Sequence, residues 1–177
     1  MFLSTFDIFK IGVGPSSSHT IGPMAATRRF ISEIEHGDWP RPEGTKVHSL
    51  KVSLHGSLAF TGIGHATDRA VILGLCGIDP ATANPDRFDE IIDTVMRTGK
   101  VGHETQETYA FSPKHDLIFD YEIDLPGHAN GMACEAFDTS GRLVLRKVYY
   151  SVGGGFVLDE DELQAEVEEG RQSTLSE

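Results

Sequence analysis

The sequence predicts an α+β fold, with a mostly antiparallel sheet flanked by helices. Apolar residues recur at helical spacing through the first two thirds of the chain, whereas strand-like runs fill the last third. These helices and hairpins do not alternate regularly, as they would in a parallel α/β fold. The 177 residues, of which 39% are hydrophobic, are enough for one domain with a core of its own.

Three stretches have the periodicity of helices. The first runs from about 20 to 36, where Gly37 suits the end of a helix. The second covers about 65–75 and the third 88–96. Prolines and glycines mark loops between them, at 39–45 and around 78–87.

Strand-like runs account for the sheet. One lies at 46–55, and three more follow at 117–123, 132–137 and 143–151. The segment 138–141, with the sequence DTSG, predicts a hairpin turn between the last two strands.

The chain is acidic, with a net charge of −12, and its end carries most of the imbalance. We therefore divide it into a domain at 1–157 and an acidic helical linker at 158–177. An acidic surface repels phosphate backbones, so nucleic acid is not an expected partner. The sequence has no run of about 20 apolar residues that would predict a membrane span.

The cysteines and several histidines do not predict a metal site. Cys76 and Cys134 lie far apart in apolar stretches and are interpreted as buried thiols in a reducing cytoplasm. Five other histidines lack ligand spacing and are interpreted as structural or surface residues: His36, His48, His55, His103 and His115.

A run of small polar residues precedes the first helix and is the first candidate site: Ser16, Ser17, Ser18, His19 and Thr20. Unpaired N–H groups at a helix start favour an anion such as a carboxylate, and hydroxyls add hydrogen bonds to it. A helix cap would need only one of these residues. The run therefore favours binding over simple capping.

His65 follows the turn Gly62-Ile63-Gly64 and is the second candidate. An imidazole has a reference pKa of about 6.5, which suits proton transfer near neutral pH. The alternative is a histidine that only stabilises a helix start.

Two further loops carry candidates. His128 and Asn130 lie in a loop between strands and could orient a substrate, although Asn and Gly also serve turn geometry. Ser151 precedes the glycine run 153–155, which is not a nucleotide P-loop and favours a flexible or close-packed turn.

These motifs together resemble one family. The segments FDIFKIGVGPSSSHTIGP, LHGSLAFTGIGHATDRAVILGL, LPGHANGM and VYYSVGGGF occur in the order seen in bacterial iron–sulfur L-serine dehydratases, over residues 6 to 156. The resemblance is to the β domain, which is itself similar to an anion- or serine-binding domain of some phosphoglycerate dehydrogenases.

The resemblance implies an enzyme that deaminates L-serine to pyruvate and ammonia. It implies a [4Fe–4S] cluster held by an α domain, either on the same chain or in a separate subunit, and a homodimer. It also implies that His65 is the catalytic base, that His128 lines the site, and that the 16–20 segment contacts the substrate carboxylate. Asn130 and Ser151 are weaker candidates, and no metal ligand is expected in this chain.

Two functions stay open at this point. The first is the β portion of a serine dehydratase, inactive by itself, and the second is a regulatory module that binds serine or another small anion. An associated α domain bearing cysteines would favour the first.

Overall fold

The computed structural model describes residues 16–103 and 107–175. Six α-helices lie in these ranges: α1 (Gly22–His36), α2 (Ser57–Thr61), α3 (Thr67–Leu75), α4 (Phe88–Thr98), α5 (Pro113–Asp116) and α6 (Glu160–Leu175). The seven strands are β1 (Val47–Leu54), β2 (Lys100–Gly102), β3 (Thr108–Ala110), β4 (Leu117–Phe119), β5 (Gly131–Asp138), β6 (Leu143–Gly153) and β7 (Phe156–Asp159). The predicted α+β class is confirmed.

All seven strands belong to one sheet in the order β2-β3-β1-β5-β6-β7, with β4 also paired to β1. The pairs β1–β5, β5–β6, β6–β7 and β2–β3 are antiparallel, whereas β3 and β4 run parallel to β1. The central strand β1 is therefore paired on both edges, with β3 and β4 on one side and β5 on the other. These pairings position the segments that follow those strands.

The main core lies between the helices and one face of the sheet. Alternate residues of β1, Leu50, Val52 and Leu54, are at most 1% exposed and belong to the same apolar cluster as Phe30 of α1 and Leu73 of α3. Burying side chains of this size stabilises the fold by about 1.5–3 kcal/mol each. This packing fixes the ends of α1, β1 and α3, where the candidate residues lie.

Helix α1 begins and ends with local features that its sequence explains. Pro23 occupies its first turn, where no backbone donor is needed. At the other end, the Trp39 indole donates to the Glu33 carbonyl at 3.1 Å, and Arg41 donates to the Ile34 carbonyl at 2.6 Å. Arg41 thus provides a donor for a carbonyl of the last helical turn, and Trp39 adds a second donor to the Glu33 carbonyl, which also accepts the Gly37 N–H at 2.8 Å.

The predicted helices and hairpin are found, with shifted bounds. A π-helical turn, Ser17–Ile21, precedes α1, so helical structure begins slightly earlier than residue 20. The second helix begins at Thr67 because Ala66 takes a left-handed conformation, with φ of 56°. The predicted hairpin turn joins β5 to β6.

The strand predicted at 117–123 is wrong in its length, because β4 ends at Phe119. One oxygen of Asp120 accepts hydrogen bonds from the N–H groups of Glu122 and Ile123, at 2.9 and 3.0 Å. This turn folds the chain away from the sheet, since a side chain replaces the strand partner. The short strands β2, β3 and β7 were not predicted.

Candidate functional site

The π-helical turn Ser17–Ile21, together with Ser16, is called the serine turn here. The Ser18 hydroxyl lies 2.9 Å from Nδ1 of His19, and the Ser16 hydroxyl lies 3.3 Å from that of Ser18. Within the described part of the chain, the half-buried Ser17 hydroxyl forms no hydrogen bond. The serine turn therefore combines an ordered hydroxyl cluster with one hydroxyl available to a ligand.

His65 ends a short helical segment that starts beside β1. Nδ1 of His65 lies 2.9 Å from the carbonyl oxygen of Thr61, one helical turn earlier. A carbonyl only accepts hydrogen bonds, so Nδ1 carries the proton and Nε2 of the neutral ring carries a lone pair. The contact therefore prepares Nε2 to accept a proton.

His128 has the opposite arrangement. Its Nδ1 accepts a hydrogen bond from the N–H group of Asn130 at 3.0 Å, so the proton of the neutral ring is on Nε2. The Asn130 side chain donates to the Ser151 carbonyl at 3.2 Å, and the Ser151 N–H donates to the Asn130 carbonyl at 2.9 Å. The His128 ring is thus a donor on a loop that is fixed to β6.

Contacts between the segments bring the candidate residues together. The rings of His19 and His65 lie 5.0 Å apart, centre to centre. The Thr20 hydroxyl donates to the His65 carbonyl at 3.0 Å, and the Thr67 hydroxyl donates to the His19 carbonyl. Thr20 is fully buried, so its hydrogen bond holds the backbone of His65 from the interior of the fold.

The start of α2 also holds the loop that carries His128 close to His19 and His65. The Ser57 N–H donates to the Ala129 carbonyl at 2.8 Å. A Cβ atom on Gly56, whose φ is 53°, would lie 2.4 Å from that same carbonyl. Glycine is required there because the two segments approach too closely for a side chain.

The environment keeps His19 neutral. Burial is the main cause that lowers the pKa of His19, and the neighbouring His65 lowers it further, while a hydrogen bond with Ser57 opposes the shift. Two rings at this distance disfavour a second positive charge. His19 is therefore suited to hydrogen bonding in its neutral form.

Ser151 lies deeper than the other candidates, with 2% of its surface exposed. Within the described residues, its hydroxyl is a buried group without a hydrogen bond. A Cβ atom on Gly22 would lie 1.9 Å from this hydroxyl, so β6 and the start of α1 are in close contact. The neighbouring glycines 153–155 all have positive φ and form the tight turn into β7, as predicted.

The candidate residues lie on an open surface. Phe60 and Ile63, on either side of Thr61, are 67% and 70% exposed. A cavity of about 730 Å³ lies elsewhere, and its lining includes Trp39, Arg41 and Tyr109.

The described residues contain no group of three or more His, Cys, Asp or Glu that could hold a metal ion. Cys134 is fully buried in the sheet, and burial raises the pKa of its thiol. Cys76 is half-buried and forms no disulfide. No described helix is long and apolar enough to cross a membrane.

Three hydroxyl residues that the sequence reading did not select hold this site together: Ser57, Thr61 and Thr67. A spacing of four residues links Ser57, Thr61 and His65, which is one helical turn per step. That spacing was the available signal. It was missed because the glycines at 62 and 64 argued against a helix.

Comparison with known proteins identifies relatives along most of the chain. The family model described as "Serine dehydratase beta chain" matches residues 4–162. An L-serine dehydratase of Streptomyces coelicolor is 43% identical over 166 residues, which cover 94% of this chain and 36% of the relative. The L-serine dehydratase TdcG of Escherichia coli is 43% identical over 160 residues, covering 90% of this chain and 34% of the relative.

A third relative, an L-serine dehydratase of Helicobacter pylori, is 38% identical over 173 residues, covering 98% of this chain and 36% of the relative. The chain thus spans about a third of the length of these relatives. Because the family model covers nearly the whole domain that carries the clustered histidines and hydroxyls, the chain belongs to the serine dehydratase beta chain family.

Proposed function

We propose that this chain is the β portion of an L-serine dehydratase, which converts L-serine to pyruvate and ammonia. The observation that carries the proposal is the His65 ring, whose Nδ1 is held by the Thr61 carbonyl while Nε2 has no recorded partner among the described residues. The names of the relatives support L-serine as the substrate.

The reaction requires a base at the Cα atom of serine. Nε2 of His65 takes the Cα proton, and the electron pair of the Cα–H bond forms a double bond to Cβ as the bond between Cβ and the hydroxyl oxygen breaks. The hydroxide that leaves becomes water by taking up one proton, which balances the proton held by His65. The resulting aminoacrylate tautomerises to an imine, which hydrolyses to pyruvate and ammonia. The Thr61 carbonyl stabilises the imidazolium, since both ring nitrogens of that form are donors.

The other candidate residues place the substrate. The Ser17 hydroxyl and the first N–H groups of the serine turn are donors for the serine carboxylate. Nε2 of His128 is a further donor, on the loop that Asn130 fixes to Ser151. Ser16, Ser18 and neutral His19 form the surrounding hydrogen-bonded wall.

We propose that an α domain, on the same chain or as a separate subunit, holds a [4Fe–4S] cluster. When bound, the cluster supplies a Lewis acid that assists the leaving hydroxyl. The described residues of this chain do not fit a cluster, which needs about four ligands, mostly thiolates. The proposal for this chain is therefore limited to binding the substrate and moving its proton.

Exposed apolar side chains beside His65 support the proposal that a second domain or subunit covers this surface. Four large apolar side chains are exposed there or on the nearby 120–124 turn: Phe60, Ile63, Tyr121 and Ile123. The Phe60 and Tyr121 rings lie 5.2 Å apart, so they form one patch. Such patches commonly mark interfaces. We further propose a homodimer, as the resemblance implies, and a cytoplasmic location, consistent with two cysteines that form no disulfide.

The test is His65→Ala in the complete enzyme, with the iron content measured for each variant. We expect kcat to fall by about 10²–10⁴-fold, which is the usual contribution of a general base. His128→Ala should have a larger share of its effect in KM. His115→Ala, at an exposed position of α5, is the matched control and should change neither constant. Near-normal kcat for His65→Ala with an intact cluster would place the base elsewhere.

A further inference from the structure

We propose that Ser57 is a positioning residue, which fixes the ring of His19 and joins the three segments of the candidate site. The inference rests on the proposed function for its catalytic consequence, but the contacts that suggest it do not. Ser57 lies outside the residues that sequence motifs selected, and three of its polar groups each bind a different part of the site.

The first two contacts are made by the backbone. The Ser57 N–H donates to the Ala129 carbonyl, which joins α2 to the loop of His128. The Ser57 carbonyl accepts a hydrogen bond from the Thr61 hydroxyl at 2.8 Å, and the Thr61 carbonyl in turn accepts from His65. The backbone of Ser57 is thus linked to both histidines that we expect to face the substrate. Its N–H binds the loop of His128, and its carbonyl is linked to His65 through Thr61.

The third contact is made by the side chain. The Ser57 hydroxyl lies 3.0 Å from Nε2 of His19, which is 38 residues away in the sequence. Helix capping does not explain this hydroxyl, because Gly56 is the capping residue of α2 and no side chain caps that helix. The Ser57 hydroxyl therefore binds the serine turn rather than its own helix.

This contact determines what His19 can do. The Ser18 hydroxyl engages Nδ1 of His19 and the Ser57 hydroxyl engages Nε2, so both ring nitrogens are held. A flip of the ring would place carbon atoms where the two nitrogens now lie, so the ring cannot flip without losing these hydrogen bonds. Each hydroxyl can donate or accept, so the two contacts fix the orientation of the ring in either tautomer. Because the His19 ring lies against that of His65, a fixed His19 also limits the orientations open to His65.

The chain offers a matched control for this serine–histidine pair. The Ser53 hydroxyl lies 2.8 Å from Nε2 of His55, whose Nδ1 binds the Ile123 carbonyl at 2.9 Å. His55 is 5% exposed, so the Ser53 hydroxyl is a hydrogen-bond partner of a buried ring. Ser53→Ala removes the same kind of bond outside the candidate site.

The first experiment is imidazole ¹⁵N NMR on the 177-residue chain, as a function of pH. Ser57→Ala should shift the Nε2 signal and the titration midpoint of His19 and leave His55 unchanged. Ser53→Ala should shift the Nε2 signal of His55 and leave the His19 signals unchanged. Ser57→Thr, which keeps a hydroxyl, should restore the His19 signals. Unchanged His19 signals in a folded Ser57→Ala variant would overturn the proposal.

The second experiment measures turnover in the complete enzyme at matched iron content. Ser57→Ala should lower kcat about tenfold, as expected for one lost hydrogen bond, and should move the acid limb of the pH profile. Ser57→Thr should recover most of kcat, and Ser53→Ala should leave it unchanged. An unaltered kcat and pH profile in Ser57→Ala would contradict the positioning role. Inactive wild-type enzyme would instead contradict the proposed function, and the NMR comparison would still decide the role of Ser57.

Discussion

At the residue scale, different hydrogen-bond partners give the three histidines of the candidate site different roles. His65 binds a carbonyl through Nδ1, His128 accepts an N–H at the same atom, and His19 binds hydroxyls at both nitrogens. The sequence indicated all three, because each lies next to a loop of small residues. It could not indicate their tautomers, which depend on carbonyls and N–H groups that only the folded chain brings near.

Ser17 is the residue of the serine turn whose hydroxyl we expect to bind the substrate. In the complete enzyme, Ser17→Ala should raise the KM for L-serine, since a lost hydrogen bond to a charged group costs about 1–3 kcal/mol. The kcat should change little if the carboxylate is held equally in the ground and transition states. Steady-state kinetics checks this, with Ser32→Ala on the exposed side of α1 as control. An unchanged KM would reduce Ser17 to part of a helix start.

His19 should also make stability depend on pH. Because its folded pKa is lowered, the unfolded chain takes up a proton first as the pH falls through the unfolded value of about 6.5. The contribution of His19 is thus fully present above that value and is lost as the pH falls toward the folded pKa. Urea unfolding of the wild type and of His19→Gln between pH 5 and 8 measures the effect. We expect a shallower loss in the variant, and parallel curves would contradict it.

At the element scale, the fold was predictable where elements are long and regular. α1, α3, α4, β1, β5 and β6 show clear periodicity over eight or more residues, and all were expected. β2 and β3 have three residues each, too few for a period to be seen. The overlong strand at 117–123 shows a different limit, since its end depends on one hydrogen-bonding side chain, Asp120.

Close contact between α1 and α3 depends on one glycine. A Cβ atom on Gly74 would lie 2.0 Å from the Thr27 hydroxyl and 2.3 Å from the Met24 carbonyl. That hydroxyl is already bonded to the Pro23 carbonyl at 2.9 Å and to the Val71 carbonyl at 3.2 Å. The two helices therefore have no room for an added methyl group.

We expect Gly74→Ala to lower the free energy of unfolding by about 1–3 kcal/mol, which is the usual cost of overpacking a core. Gly170→Ala is the control, because Gly170 lies in α6 with nothing near its Cβ position. There, alanine should stabilise the helix by about 0.5–1 kcal/mol. Chemical denaturation of both variants checks the pair. Equal stability of Gly74→Ala and wild type would show that α1 and α3 can separate at little cost.

At the scale of the whole molecule, the acidic end of the chain is attached to the domain at a defined point. The Asp159 N–H donates to the Glu162 carboxylate and the Glu162 N–H donates to the Asp159 carboxylate, both at 2.9 Å, so α6 starts with a capping box. Arg29 of α1 binds both Glu162 oxygens, at 2.7 and 3.0 Å, and Asp159 at 3.0 Å. The sequence predicted an acidic helix at 158–177, and its contact with Arg29 sets the direction in which α6 leaves the domain. No local sequence pattern could reveal that contact. The division of the chain at 157 stays a prediction.

The last prediction concerns the 177-residue chain by itself. Its core joins α1, α3 and α4 to the sheet in one cluster, so we expect cooperative thermal unfolding, followed by circular dichroism. Its described residues offer no cluster ligand set, so we expect it to stay colourless and to form no pyruvate after anaerobic reconstitution with iron and sulfide. Adding the α domain as a separate polypeptide should produce turnover, and His65→Ala in this chain should lower that turnover by about 10²–10⁴-fold. Stoichiometric iron with turnover from this chain alone would show that the catalytic site is complete within it.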